Sequence, residues 1–472
     1  MATQTPLSFS PWQQNQVIDV WIDDFSATGD GVGHWGPDRR VVFVPDTVPG
    51  DRITARLTFV KPGYAHAVML ELRQPSSDRT KPHCIVADKC GGCQWQFAAY
   101  ASQLAAKRNQ VVQALERIGK FEHPPVAEVL AAPSAFGYRN KSTYPLGFSQ
   151  EKGRRKVLAG YYQKRSHRLI NLNQCPVQDP RLDALLAFLK QAIQQQDWSI
   201  YDERTHKGEL RHLSLRIGRR TGEILATLVA RTGEHLQGLE LQAKQWMRQH
   251  PNLVGVSLNI NGDRTNRIFG NETRRIAGQP FLQERFADLT LQVYPQTFFQ
   301  IYTEQAEALL QVILQHLNLQ GSETVVDAYC GIGTLTLPLA RLVNRCIGLE
   351  VQAEAVDQAI QNAELNQIGN VAFLEGTVEE RLASLEVQPD IVLLDPPRKG
   401  CEPAVLQNLI ERKVPRIVYV SCNPATLARD LDQLCHNGPY RLLNVQPADF
   451  FPQTAHVECA AFLSCEVDST QP

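Results

Sequence analysis

From Thr324 to Ser421 the chain repeats one pattern: a short apolar run rich in β-branched residues, then a longer amphipathic stretch. The runs are Thr324–Ala328, Cys346–Leu349, Val371–Leu374, Asp390–Leu394 and Ile417–Ser421, led in by a helical pattern over Gln300–His316. Strands alternating with helices predict a doubly wound, mostly parallel sheet. Such sheets hold their ligands beyond the carboxyl ends of the strands. The residues just past the end of each run are therefore the place to seek chemistry.

The last run, Arg416-Ile417-Val418-Tyr419-Val420, is stopped by Ser421-Cys422-Asn423-Pro424. Pro424 cannot donate to a sheet ladder and keeps Asn423 out of helical space. Cys422 thus stands at a strand's carboxyl end. A thiol there is either a nucleophile, once its pKa is tuned, or a small apolar core residue.

The first run ends in Asp327-Ala328-Tyr329-Cys330-Gly331-Ile332-Gly333-Thr334. Gly331 and Gly333 permit close backbone approach of a nucleotide-like ligand. Glu350 ends the next run and can take both hydroxyls of a ribose. A nicotinamide dinucleotide would fit these features, but the G-x-G-x-x-G pyrophosphate pattern is incomplete. S-adenosylmethionine, an adenosine without phosphates, fits the remainder. Asp395-Pro396-Pro397-Arg398 forms a rigid acidic rim after the fourth run, able to accept hydrogen bonds from a flipped base or to serve only as a turn. Glu458 interrupts an apolar strand near the C-terminus, as either a surface acid or a base tuned by burial.

Upstream the pattern is different. Apolar alternation at 17–22, 40–44, 52–57 and 65–72, punctuated by Gly29-Asp30-Gly31, Pro49-Gly50-Asp51 and Lys61-Pro62-Gly63, predicts a five-stranded barrel of the OB type. Arg39, Arg40, Arg52, Arg56, Lys61 and Arg73 could meet phosphates or merely face solvent. Cys84, Cys90 and Cys93 come next, spaced C-x5-C-x2-C around Gly91-Gly92, and Cys175 stands alone before Pro176. Three clustered cysteines and a remote one before proline suit iron–sulfur ligation. Tetrahedral zinc and unliganded thiols remain the alternatives. A helix is expected over 97–118, closed by Gly119. Between Arg139 and Arg168, Arg139, Lys141, Lys152, Arg154, Arg155, Lys156, Lys164, Arg165 and Arg168 face only Glu151. Phe136, Tyr138, Tyr144, Phe148, Tyr161 and Tyr162 lie among them. Cations interleaved with aromatics suit looped or single-stranded RNA; a basic sheet over an aromatic core is the plainer alternative. Strands are also expected at 223–230, 253–260 and 289–293, giving the middle of the chain an α+β character.

Forty-eight basic against 49 acidic residues leave no global field, so nucleic-acid binding has to come from local patches. Eleven cysteines in 472 residues are too few for a disulfide scaffold and suggest a reducing, cytoplasmic setting. No apolar run reaches membrane-spanning length, and the polar segment 1–16 reads as a disordered lead-in without a signal peptide.

Together, Cys422 in Ser-Cys-Asn-Pro, Asp395 in Asp-Pro-Pro-Arg, Glu458 after Phe-Pro-Gln-Thr-Ala-His-Val, and Tyr294-Pro295-Gln296-Thr297-Phe298-Phe299-Gln300 resemble the RNA uracil-C5 methyltransferases. The four upstream cysteines, Gly137-Tyr138-Arg139-Asn140-Lys141 and the barrel, which is similar to a TRAM domain, resemble the 23S ribosomal RNA branch of that family rather than its transfer RNA branch. The resemblance implies three parts: a TRAM barrel over 17–75, a central iron–sulfur and RNA-binding α+β domain over 76–290, and a Rossmann-like class I methyltransferase domain over 291–472. It implies Cys422 as nucleophile and Glu458 as base. Gln300, Tyr329, Gly331, Gly333, Thr334, Glu350, Thr377 and Asp395 would then bind S-adenosylmethionine or border the uracil. Cys84, Cys90, Cys93 and Cys175 would hold a [4Fe-4S] cluster. Tyr329 replaces the family's usual phenylalanine, and Thr334 and Thr377 stand where asparagine or aspartate is common. The expected enzyme is a cytoplasmic monomer that methylates C5 of a 23S ribosomal RNA uridine. A transfer RNA methyltransferase and a non-catalytic iron–sulfur RNA-binding protein are the rival readings.

Overall fold

The computed structural model describes residues 12–151 and 154–465. The chain forms two compact units: residues up to 88 with 92–106 and 453–455, and residues 89–91 with 107–452 and 456 onward.

In the first unit, β1 (Val17–Phe25), β2 (Gly31–Trp35), β3 (Arg40–Val44), β4 (Arg52–Val60) and β5 (Tyr64–Gln74) close into a barrel in the order β1-β2-β3-β5-β4. Period-two alternation turns Ile18, Val20, Ile22, Val42, Val44, Ile53, Ala55, Leu57, Ala65 and Ala67 inward. The expected five-stranded barrel is present. Its second strand had been hidden in the glycine turn signal. The turn is present before it, with Gly29 at φ 91° donating to the Ser26 carbonyl. Gly31 and Gly33 lie in β2 and serve close packing, since a Cβ at Gly31 would stand 2.0 Å from Thr47 Oγ1 and one at Gly33 2.5 Å from the Trp21 carbonyl oxygen. The disordered lead-in expected over 1–16 is corrected for 12–16, while residues 1–11 lie outside the described residues. Trp12 is buried, stacks on Trp35 at 6.3 Å and donates its indole N–H to the Lys61 carbonyl at 3.0 Å. Arg40, one of the candidate phosphate contacts, lies over that indole at 4.5 Å and pairs with Asp38. Beside the barrel, Trp95 packs on Phe25 and donates to the Gly29 carbonyl, and Gln103 exchanges two hydrogen bonds with Gln453.

The helix expected over 97–118 is α1 (Tyr100–Arg117). In the second unit come β6 (Lys141–Glu151), β7 (Arg154–Tyr162), β8 (Leu169–Asn171), α2 (Arg181–Gln195), β9 (Leu210–Ile217), β10 (Ile224–Ala230), α3 (Leu239–Gln249), β11 (Leu253–Ile260) and β12 (Glu272–Gly278). Their strands form a seven-stranded sheet, β12-β11-β10-β9-β6-β7-β8. Leu182, Leu185, Leu186, Leu189 and Ile193 of α2 and Trp246 of α3 belong to its apolar core.

The base-stacking reading of the 136–168 aromatics is corrected for two of them: Tyr138 and Tyr144 are fully buried. Tyr144 lies on the inward face of β6, where alternation brings every second side chain into the core. Lys141, three positions earlier and so on the opposite face of β6, is half-buried. Its Nζ donates to the Pro295 carbonyl at 3.3 Å and lies over the Phe269 ring. Lys152 and the side chains of Arg154 and Arg155 lie outside the described residues.

After the hairpin β13 (Leu282–Phe286) and β14 (Leu289–Val293), helix α4 (Thr303–Leu317) opens the alternating region. Its elements are β15 (Thr324–Ala328), α5 (Thr336–Ala340), β16 (Arg345–Glu350), α6 (Ala353–Leu365), β17 (Val371–Glu375), α7 (Val378–Ser384), β18 (Ile391–Leu394), α8 (Pro403–Arg412), β19 (Arg416–Ser421), α9 (Pro424–His436), β20 (Tyr440–Ala448) and β21 (Glu458–Cys465). The sheet order is β17-β16-β15-β18-β19-β21-β20. Pairings among β17, β16, β15, β18 and β19 are parallel, and β21 and β20 complete the sheet antiparallel. All five predicted runs are strands of this sheet. β20 was not predicted. It is an edge strand carrying Pro447 and several polar residues, which weaken an apolar signal. Among the described residues no helix is long and apolar enough to cross a membrane.

Candidate active site

Tyr329, Glu350, Asp395 and Cys422 each stand at or just beyond the carboxyl end of a parallel strand: β15, β16, β18 and β19. The sheet therefore gathers them on one rim. Glu458 comes from the antiparallel neighbour. Ser421 pairs with Cys459, so one register step onward sets Cys422 opposite Glu458.

The nucleotide half of the rim is built on backbone geometry. Tyr329 has φ 70°, Gly331 54° and Gly333 83°, three left-handed residues that fold the loop tightly over the end of β15. A Cβ at Gly331 would meet no atom within 4 Å, so the space above this glycine is open. The Glu350 carboxylate accepts from Gly331 N at 3.1 Å and Gln352 N at 2.8 Å, which fixes its orientation. Beneath it Asp327 accepts from Thr336 Oγ1 at 2.5 Å; burial, then the Asp395 and Glu350 charges, push its carboxyl up to about 7. Burial, then the neighbouring Cys401 thiol, raise the Tyr329 hydroxyl, a polar group that phenylalanine would lack. Thr334 is half-buried on the same loop. Thr377 is the N-cap of α7, its Oγ1 accepting from Glu380 N at 3.4 Å.

The half of the rim around Cys422 is electrostatic. Burial pushes Asp395 up to about 7 and, with Asp395 as neighbour, Glu458 up to about 8; Arg398 opposes the latter. Burial also raises the Cys422 thiol, as do the Glu458 and Asp395 charges, whereas Arg398 draws it down. Burial, two acids and one guanidinium thus set how readily the thiol ionises. Arg398 was not singled out in the sequence, although it closes the Asp-Pro-Pro-Arg motif. Its loop is tied to α9: Asn423 caps the helix through Ala425 N at 3.1 Å and donates Nδ2 to the Arg398 carbonyl at 3.1 Å.

Gln300 enters on a segment held by buried polar side chains. Arg216 donates to the Tyr294 carbonyl at 3.0 Å and the Thr297 carbonyl at 2.9 Å, and Asn140 donates to the Gln300 carbonyl at 2.8 Å. Two residues before Gln300, Phe298 is 70% exposed, an aromatic face that no sequence pattern placed at the surface.

All four cysteines expected to bind a cluster are thiols rather than halves of disulfides. In the second unit, the Cys175 and Cys90 charges both raise the Tyr161 hydroxyl, after burial. Gly91 donates to the Tyr162 carbonyl at 3.0 Å, and a Cβ on it would press on that same oxygen at 3.2 Å. Among the described residues no three His, Cys, Asp or Glu side chains are drawn together as a bound metal ion would require. The donor chemistry is that of a soft metal centre.

Comparison with known proteins bears on this arrangement. The tRNA (Uracil-5-)-methyltransferase family model matches residues 99–466 and the TRAM domain model residues 11–70. An RNA methyltransferase of Nostoc sp. is 62% identical, over 96% of this chain and 97% of its own. One from Synechocystis sp. is 53% identical, over 96% of each chain. The crystal structure of Pyrococcus abyssi tRNA (uracil-54, C5)-methyltransferase in complex with S-adenosyl-L-homocysteine superposes with a TM-score of 0.73 and 27% identity, over 94% of this chain and 100% of that one. This leaves too few residues uncovered to omit the barrel, so the barrel does not set a ribosomal branch apart from a transfer RNA branch, contrary to the sequence-based expectation. The chain belongs to the uracil-5 RNA methyltransferase family and is an enzyme of that class with a TRAM domain.

Proposed function

We propose that the enzyme methylates C5 of a uridine in structured RNA by way of a covalent bond between Cys422 and C6 of the ring. The reading rests on one observation: Cys422 and Glu458 stand opposite each other at the end of the sheet, beside Asp395. Uracil C5 is a weak nucleophile. Addition of the Cys422 thiolate to C6 moves an electron pair towards O4 and makes C5 reactive. Tyr329, Gly331, Gly333, Thr334 and Glu350 would hold S-adenosylmethionine, which would supply the methyl group to C5 as an electrophile and leave as S-adenosylhomocysteine. Glu458 then removes the C5 proton, the C5–C6 double bond re-forms, and the sulfur of Cys422 leaves as thiolate. Asp395, whose pKa burial raises to about 7, donates to the uracil edge in its protonated form and steadies the charge formed on addition. Gln300 and Thr377 complete the cofactor pocket, and the target base must leave its stack to reach the thiol. RNA carrying 5-fluorouridine should become permanently attached through Cys422, because its C5 holds no removable proton. Unattached RNA in that assay would overturn the mechanism.

Cys84, Cys90, Cys93 and Cys175 are proposed to hold a [4Fe-4S] cluster, on their spacing and their thiol form. The methyl transfer involves no net redox change, so the cluster is assigned to the RNA-binding part, residues 76–290, rather than to the catalytic part, 291–472. Iron and sulfide analysis of anaerobically purified protein separates it from zinc. The substrate we propose is 23S ribosomal RNA, met by a cytoplasmic monomer, and the four cysteines support this. Transfer RNA is the second reading, favoured by the likeness to the Pyrococcus abyssi enzyme. Mapping 5-methyluridine in both RNAs, with and without the protein, decides between them.

A further inference from the structure

Glu458 is delivered to the site by an irregular segment, 449–457, that links β20 to β21. The segment is secured at its start by a fully buried ion pair. Lys107, on α1, donates to Asp449 Oδ1 at 2.5 Å, and neither side chain has any solvent exposure. The same Nζ donates to the Phe451 carbonyl at 3.1 Å, and Phe451 N donates to Asp449 Oδ1 at 3.1 Å. The next carbonyl, Pro452, accepts from the hydroxyl of buried Tyr138 at 3.0 Å. Asp449 N donates to the Leu130 carbonyl at 3.0 Å, while Asp449 Oδ2 is buried and accepts no hydrogen bond.

A buried ion pair is a poor source of net stability, because desolvation offsets most of its attraction. It is, however, a strict geometric constraint, since losing one partner strands a buried charge. Cys422 is placed by other elements, β19 and the Asn423 cap of α9. The network grips the segment that ends at Glu458 at Asp449, Phe451 and Pro452.

We propose that Lys107 is a positioning residue for Glu458, its ion pair with Asp449 fixing segment 449–457 so that the carboxylate faces the C5 proton of the covalent intermediate. This rests on the mechanism given under the proposed function and adds a role for α1. It predicts a step-specific defect. Loss of the pair slows proton removal and release, while thiol addition and methyl transfer proceed.

The test compares wild type with Lys107→Met and with the double variant Lys107→Met/Asp449→Leu, which leaves no stranded charge and keeps the site apolar if the single variant fails to fold. Capture of 5-fluorouridine RNA reports addition, and turnover on natural RNA reports release. For the double variant we expect capture within about threefold of wild type, release slowed about tenfold or more, and methylated RNA accumulating as a covalent adduct on denaturing gels. Release at the wild-type rate, or capture and release falling together, would overturn the positioning role. A wild-type enzyme that never captures 5-fluorouridine RNA would overturn the mechanism beneath it, a separate outcome.

Discussion

Each side chain at the end of β19 answers to its neighbours' charges. Cys422 sits half-buried among acids that discourage its thiolate, and Arg398 is the side chain that favours it. Cys422→Ala should lower methylation below about a thousandth of wild type, as removal of a nucleophile does, while S-adenosylmethionine binding measured by calorimetry stays intact. Glu458, pushed up to about 8, can serve as the proposed base only when ionised. Release of product should therefore rise about tenfold per pH unit from about pH 6 towards 8 and level off above, measured as single-turnover decay of the adduct. The same carboxyl has a stability signature. Its folded pKa lies above the ordinary carboxylate value, so the folded state binds the extra proton, and stability falls as pH rises through the window from about 4.5 to 8. Glu458→Gln should therefore melt at a higher temperature than wild type at about pH 9 and at the same temperature at about pH 4.

Strands and loops were legible in the sequence to different degrees. The five runs from Thr324 to Ser421 were readable because strands covered on both faces are apolar almost throughout, and the turns after them carry the chemistry. Cys422 and Glu458 could be found as polar interruptions at strand ends. Tyr144 and Lys141 misled because cations and aromatics counted along a sequence do not say which of them the fold already engages: Tyr144 lies in the core and Lys141 donates to Pro295. Thr377 had a legible capping pattern, Thr-Val-Glu-Glu, that competes with its reading as a ligand contact. Gly348 shows an element whose packing serves the site. It lies within β16, and a Cβ there would stand 2.5 Å from the Phe373 ring and 2.7 Å from Cys330 Sγ. Gly348→Ala should cost about 1–3 kcal/mol of stability by overpacking. Because Cys330 leads into the Gly331 loop, it should also weaken S-adenosylmethionine binding, and calorimetry beside urea denaturation checks both.

At the scale of the whole chain, 48 basic residues against 49 acidic ones leave nothing to draw RNA in from a distance. Affinity must come from a few local contacts, and several cations are already engaged inside the fold. Arg216 and Lys141 direct their donors at backbone carbonyls of segment 294–297, and Arg40 covers Trp12. Arg165 and Arg168, in the turn between β7 and β8, are exposed. Each phosphate neutralised by such a residue releases a counterion, which makes the logarithm of affinity fall with the logarithm of salt by about 0.9 per contact. Arg165→Gln/Arg168→Gln should therefore weaken RNA binding at low salt and flatten that slope by about 2, while capture of 5-fluorouridine RNA at saturating concentration stays at the wild-type level. An unchanged slope would move the RNA surface elsewhere, towards Phe298 and the rim of the methyltransferase sheet.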